Sequence, residues 1–96
     1  MKEVTDPDGQ RVVLDEEAWN HISARHPELM DRLDVILGTV ARPDHRTLDP
    51  IASRRRYWRR LAAPSRWLLV IVDVGDSPAR VVTAFGHRRD PEELTP

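Results

Sequence analysis

The spacing of hydrophobic and polar positions changes period near the middle of the chain. Up to about residue 41 the apolar side chains recur at helical intervals; beyond it they alternate or run together, as in strands. In the first part Ala18, Ile22 and Leu29 define an apolar stripe, with Trp19 and His26 at its edge. Asp15 is suited to cap a helix, and Glu16 and Glu17 fall in its first turn, where negative charge complements the helix dipole. The spacing therefore predicts a helix ending near Arg25. Pro27 discourages helical geometry at His26 and is itself favoured as the first residue of a new helix. Leu29, Leu33, Ile36, Leu37 and Val40 predict that second helix over 27–40, ended by Arg42 and Pro43.

A turn signal at Asp6-Pro7-Asp8-Gly9 precedes a short strand expected over 10–14. In the second half, 44–48 reads as a short edge strand. Alternation over 54–61 puts Arg54, Arg56, Trp58 and Arg60 on one face. The nearly all-apolar stretch 66–74 predicts a central strand covered on both sides. Turns at 62–65 and 75–78 separate it from its neighbours, and 79–86 predicts a third long strand. Short loops between these strands imply an antiparallel meander. Helices first and sheet second make an α+β domain, with the helices packed on one face of a 3–4-stranded antiparallel sheet. The other face would show arginines, aromatics and a threonine to solvent.

With 96 residues, one domain is expected, with a core over about 10–87 and short tails. Its core must come from Trp19, Trp58, Trp67, Phe85 and aliphatics, because the chain has no cysteine. That absence fits a reducing cytoplasm. The first residues lack a signal-peptide apolar run, and the stretch 67–72 is far short of the roughly 20 residues that span a bilayer. A soluble cytoplasmic protein with no membrane partner is expected.

The net charge of −1 conceals an asymmetry. Residues 1–41 hold four basic and nine acidic side chains, a net of −5; residues 42–89 hold eleven basic and four acidic, a net of +7. Every basic residue in the second window is arginine, whose planar fork suits phosphate. This points to an anionic partner, or to a solvated sheet face balanced by acidic helices.

His21 projects away from the apolar stripe, beside Arg25. It is either an ordinary exposed histidine or a group free to work. His26, at the helix junction, could equally bond a freed backbone carbonyl. The four histidines are scattered and no ligand spacing is present, so neither a metal nor another cofactor is expected. No phosphate-binding glycine loop and no nucleophile elbow occurs. What remains is histidine, arginine and hydroxyl chemistry, which suffices for metal-independent RNA cleavage. A base takes the 2′-OH proton, an acid protonates the leaving 5′-oxygen, and a cation stabilises the charged transition state. Tyr57 and Trp58 amid the arginines of 54–60 resemble the basic and aromatic interleaving of single-strand RNA binding. The same stretch can also be a packed strand whose arginine stems cover apolar surface. In "VVTAF", residues 81–85, alternation puts Val81, Thr83 and Phe85 on one face. Thr83 is either β-branched filler or a hydroxyl able to orient phosphate.

"AWNHISARHPEL" (18–29), Pro43-Asp44, "RYW" (56–58), "WLLVIVDV" (67–74) and "VVTAF" follow one another in order. This ordered set resembles the phage-associated branch of the Barnase–EndoU–colicin–RelE-like (BECR-fold) nucleases, over about residues 10–87. The resemblance implies a RelE/barnase-like fold and a small metal-independent ribonuclease, a hydrolase often acting as a toxin. RNA would be its substrate, and an antitoxin or immunity protein its cognate partner. It maps His21 and His26 onto the family's helix histidines, Arg56 and Tyr57 onto its basic and aromatic strand positions, and Thr83 onto its terminal threonine. His21 is then the general acid or base, and His26 shares proton transfer or positions the junction. Arg56 is the phosphate clamp, Tyr57 a stacking or relay group, and Thr83 a phosphate-orienting hydroxyl. Arg54, Trp58, Arg60, Arg80, His87 and Arg88 are the expected nucleic-acid contacts. The alternative is a non-catalytic nucleic-acid- or protein-binding module, of antitoxin or immunity type, using the same arginine face.

Overall fold

The turn at residues 6–10 joins two strands rather than preceding one. In the computed structural model, which describes residues 1–61 and 66–91, β1 (Lys2–Thr5) pairs antiparallel with β2 (Arg11–Leu14). The Asp6 carboxylate accepts the backbone N–H groups of Asp8 and Gln10, both at 2.9 Å, and Gly9 takes φ 84°, which a glycine adopts without strain. β1 was not legible because Lys2-Glu3-Val4-Thr5 offers only one apolar side chain. The N-terminal residues thus belong to the sheet and are not a tail.

Asp15 caps α1 (Glu16–Arg25), its carboxylate accepting the Ala18 N–H at 2.8 Å. The second helix expected over 27–40 is divided in two. Pro27–Leu29 form a single 3-10 turn, and α2 spans Leu33–Ala41. Leu29 is buried while Met30, Asp31 and Arg32 are exposed, and Arg32 lies outside helical geometry. The break lets Leu29 and Ile36 both reach the core from a chain that turns between them.

β3 (His45–Leu48), β4 (Arg54–Arg60), β5 (Trp67–Asp73) and β6 (Ala79–His87) form the expected antiparallel meander. The turn expected at 62–65 lies outside the described residues. The sheet is larger than the 3–4 antiparallel strands expected: six strands in the order β1-β2-β6-β5-β4-β3, mixed because β2 runs parallel to β6. The helices carry the chain from β2 to β3 at the far edge, and the meander returns so that β6 lies beside the short, buried β2 in parallel. β5 is central and buried over nearly its whole length, as its apolar run predicted.

Both helices cover one face. Ile22, Ile36 and Val40 pack there against Val12, Leu14, Tyr57, Leu68, Val70 and Val72. The second face carries its own small core of Trp58, Trp67, Leu69 and Ile71, flanked by Val82 and Phe85. A bulge between Ile71 and Val72 corrects the alternation expected for β6. Val81 joins Ala84 on the helix side, whereas Val82, Thr83 and Phe85 belong to the second face. Among the described residues no helix is long and apolar enough to cross a membrane.

Candidate functional site

Register places the second face in rows. Thr83, Ile71, Arg56 and Thr47 form one row across four strands. Phe85, Leu69, Trp58 and His45 form the next, and His87, Trp67 and Arg60 the one after it. β6 pairs with β2 only at Ala79 and Arg80, so its edge beyond is left to α1. Along that seam the two helix histidines meet the second face.

They meet it at different places. Five residues apart, His21 and His26 stand about 140° apart around a helix. His21 is exposed and lines an open hollow with Asp15, Glu17, Ala18 and Val82. His26 is the C-cap of α1, its backbone N–H donating to the Ile22 carbonyl. Its ring stacks on Phe85 at 5.7 Å, and its Nδ1 lies 3.6 Å from a Glu28 carboxylate oxygen. His87 also lies near Phe85, ring centroids 6.2 Å apart, and meets Trp58 edge-on at 5.2 Å. The Arg89 backbone N–H donates to His87 Nδ1 at 3.1 Å. Thr83, half-buried, sits on β6 between Val82 of the His21 hollow and Phe85 of the His26 stack.

Other expected residues are placed elsewhere. Tyr57 does not accompany Arg56. It is 2% exposed on the helix face, and its hydroxyl donates to Asp6 at 2.7 Å. Burial, and then the Asp6 hydrogen bond and charge, push the phenol well above its ordinary pKa. Tyr57, expected as a stacking or relay group, is thus covered by the helices, with its hydroxyl engaged by Asp6. Trp58 is 0% exposed, with its indole N–H donating to Thr47 Oγ1 at 2.8 Å, so it stacks on no base in this conformation. The resemblance pointed to Tyr57, and the basic and aromatic interleaving to Trp58; hydrophobic burial accounts for both positions.

The arginines are largely engaged by acids. Arg56 Nε donates to Asp49 at 2.9 Å, Arg80 lies 3.1 Å from Asp15, and Arg54 lies 3.8 Å from Asp73. With Arg46–Asp8 and Arg66–Asp90, at least five of the eleven arginines of 42–89 face a carboxylate. Arg60 is exposed, its guanidinium 5.3 Å over the Trp67 ring, a cation–π distance. Arg88 is exposed beyond β6.

Asp49, Phe85, Glu28 and Asp90 were missed as neighbours of the site. Asp90 accepts the Trp67 indole N–H at 3.0 Å. Burial alone would raise the pKa of Asp49, yet the Ile51 N–H, the Arg56 hydrogen bond and the charges of Arg56 and Arg54 outweigh it and hold the carboxyl below its ordinary range. The acidic residue ahead of the arginine run was the available signal. Among the described residues no three or more His, Cys, Asp or Glu side chains gather in a metal-binding group. No family model, curated protein or solved structure matches the chain.

Proposed function

We propose that the chain is a small metal-independent endoribonuclease whose site lies along the seam of α1 and β6. The observation that carries this reading is the position of Thr83, on the second face between the His21 hollow and the His26–Phe85 stack. A phosphodiester laid along the seam would meet a hydroxyl flanked by two imidazoles, groups able to give and take a proton. His21, the more exposed, acts as acid or base. His26 is held by Phe85 and Glu28 and completes the proton transfer or positions it. Arg60, Arg88 and His87 extend the path of the strand, and Arg56 supplies the cation once its carboxylate partner is displaced. Two helices on one sheet face also fit the RelE/barnase-like arrangement that the resemblance implies, with β1 and β2 as additions. A toxin acting on cytoplasmic RNA, restrained by an antitoxin or immunity partner, follows from the same reading.

The test is turnover of labelled RNA by limiting protein in EDTA, with analysis for 2′,3′-cyclic phosphate ends. His21→Ala should lower the rate about 100-fold or more, the loss expected for general acid–base help. Unchanged cleavage would remove His21 from the mechanism.

The engagement of Arg54, Arg56 and Arg80 by carboxylates favours a second reading, a non-catalytic module that binds nucleic acid or protein through this face. Stoichiometric binding without fragments in the same assay would select it.

A further inference from the structure

The loop of residues 49–53 between β3 and β4 turns back so that Asp49 reaches the second face. Its carboxylate is only 6% exposed and is held through both oxygens. Oδ1 accepts Arg56 Nε at 2.9 Å, and Oδ2 accepts the Ile51 backbone N–H at 2.9 Å. A guanidinium N–H and a backbone N–H converging on one anion are donors that phosphate sites use. The seat also has more donor capacity than Asp49 uses. Arg54 lies two residues along β4 on the same face, and its Nε is buried without a hydrogen bond. Asp73 stands 3.8 Å from that nitrogen and meanwhile accepts from Ser53 and from the Gly75 N–H. A buried donor left unmatched beside an anion seat is a cost that a larger oxyanion would relieve.

The loop that brings Asp49 is not anchored by its own apolar residues. Leu48 and Ile51, which flank Asp49, are 72% and 50% exposed. Arg56 also lies in the row of Thr83, two strands away, or about 10 Å across the sheet.

We infer that Asp49 is an internal stand-in for a backbone phosphate of single-stranded RNA, seated on Arg56 and the Ile51 N–H until the substrate displaces it. The incoming phosphodiester takes over the Arg56 fork and satisfies Arg54 as well. Asp49 therefore restrains binding at this subsite, and Arg54, Arg56 and Asp49 together set its affinity. The inference rests on the reading of this face as an RNA site, but it concerns binding and not the cleavage step.

The test uses a 2′-O-methyl RNA oligonucleotide, which cannot be cleaved, at fixed salt. Asp49→Asn keeps the side-chain shape and an oxygen for the Ile51 N–H while removing the competing charge. It should bind about tenfold more tightly than wild type, the weight of one charge-assisted contact, and adding Arg56→Gln should abolish the gain. Equal or weaker binding by a folded Asp49→Asn protein overturns the inference. So does a gain for a poly-glutamate peptide without one for the RNA. Should that variant fold poorly, the wild type provides a second readout. The carboxyl carbon resonance of Asp49 should move as the oligonucleotide is added, and a fixed resonance at saturation overturns the inference. Tightened binding with no cleavage of ordinary RNA would sink the ribonuclease reading alone; cleavage without tightening would sink this one alone.

Discussion

His26 lies against Phe85 with ring centroids 5.7 Å apart and planes 29° from parallel. The contact joins the end of α1 to a strand edge that β2 leaves unpaired, so one stack fixes both a helix terminus and an imidazole. Phe85→Leu keeps apolar bulk there but removes the stacked ring. It should lower stability by about 1 kcal/mol and reduce RNA cleavage by loosening His26. A urea denaturation midpoint equal to wild type would show that the stack contributes nothing.

Tyr57 offers a sharp separation of stability from activity. Tyr57→Phe leaves one Asp6 oxygen without its 2.7 Å donor in a buried setting. The expected cost is about 1–3 kcal/mol, read by chemical denaturation. Turnover of RNA at a temperature well below the midpoint should be unchanged, because the phenol faces the helices. A large loss of turnover in a stably folded variant would return Tyr57 to the site.

The same phenol makes an alkaline prediction. Its pKa is raised on folding, so the folded state keeps a proton that the unfolded state releases above about pH 10. The stability it contributes is thus complete below that value and is lost as pH rises. Since Tyr57 is the sole tyrosine, phenolate absorbance should appear together with unfolding and not before it. Ordinary titration near pH 10 in the folded protein would contradict the buried Asp6 contact. Tyr57→Phe should flatten this alkaline loss.

Asp49 makes the opposite prediction in acid. Its carboxyl is held below the ordinary value of 3.8, so its contribution is present above that pH and fades as pH falls through the lower folded value. The stability difference between wild type and Asp49→Asn should shrink on acidification below pH 4. A difference constant down to pH 2 would mean that the charge on Asp49 does not matter to the fold.

Trp58→Phe should cost about 1–3 kcal/mol through the lost Thr47 hydrogen bond and the space left by the smaller ring. Affinity for the uncleavable oligonucleotide should not change, because the indole is covered. A clear loss of affinity at full folding would show that the second face opens to admit a base.

Much of the local structure was legible in residue pattern. Asp15 caps α1, Pro27 begins a new turn, and the 67–73 run is the central strand, because each depends on neighbours within a few residues. The faces of β4 were also readable, since regular pairing keeps Arg54, Arg56, Trp58 and Arg60 together. β1 was not, because a charged edge strand carries little apolar signal. The faces of β6 were misread because a single bulged residue reverses alternation, and nothing in "VVTAF" marks it.

The sequence by itself determined α1, the strands of the meander and the inventory of histidines, arginines and Thr83 that the proposed chemistry must use. Only the tertiary structure decided which of them are available. Burial covers Tyr57 and Trp58, the nearby Asp49 engages Arg56, and the distant Asp73 and Asp15 lie against Arg54 and Arg80. The free edge of β6 brought His26 to Phe85. Most of these outcomes depend on contacts between elements far apart in the chain, which follow from how a whole sheet buries its apolar surface and matches its charges.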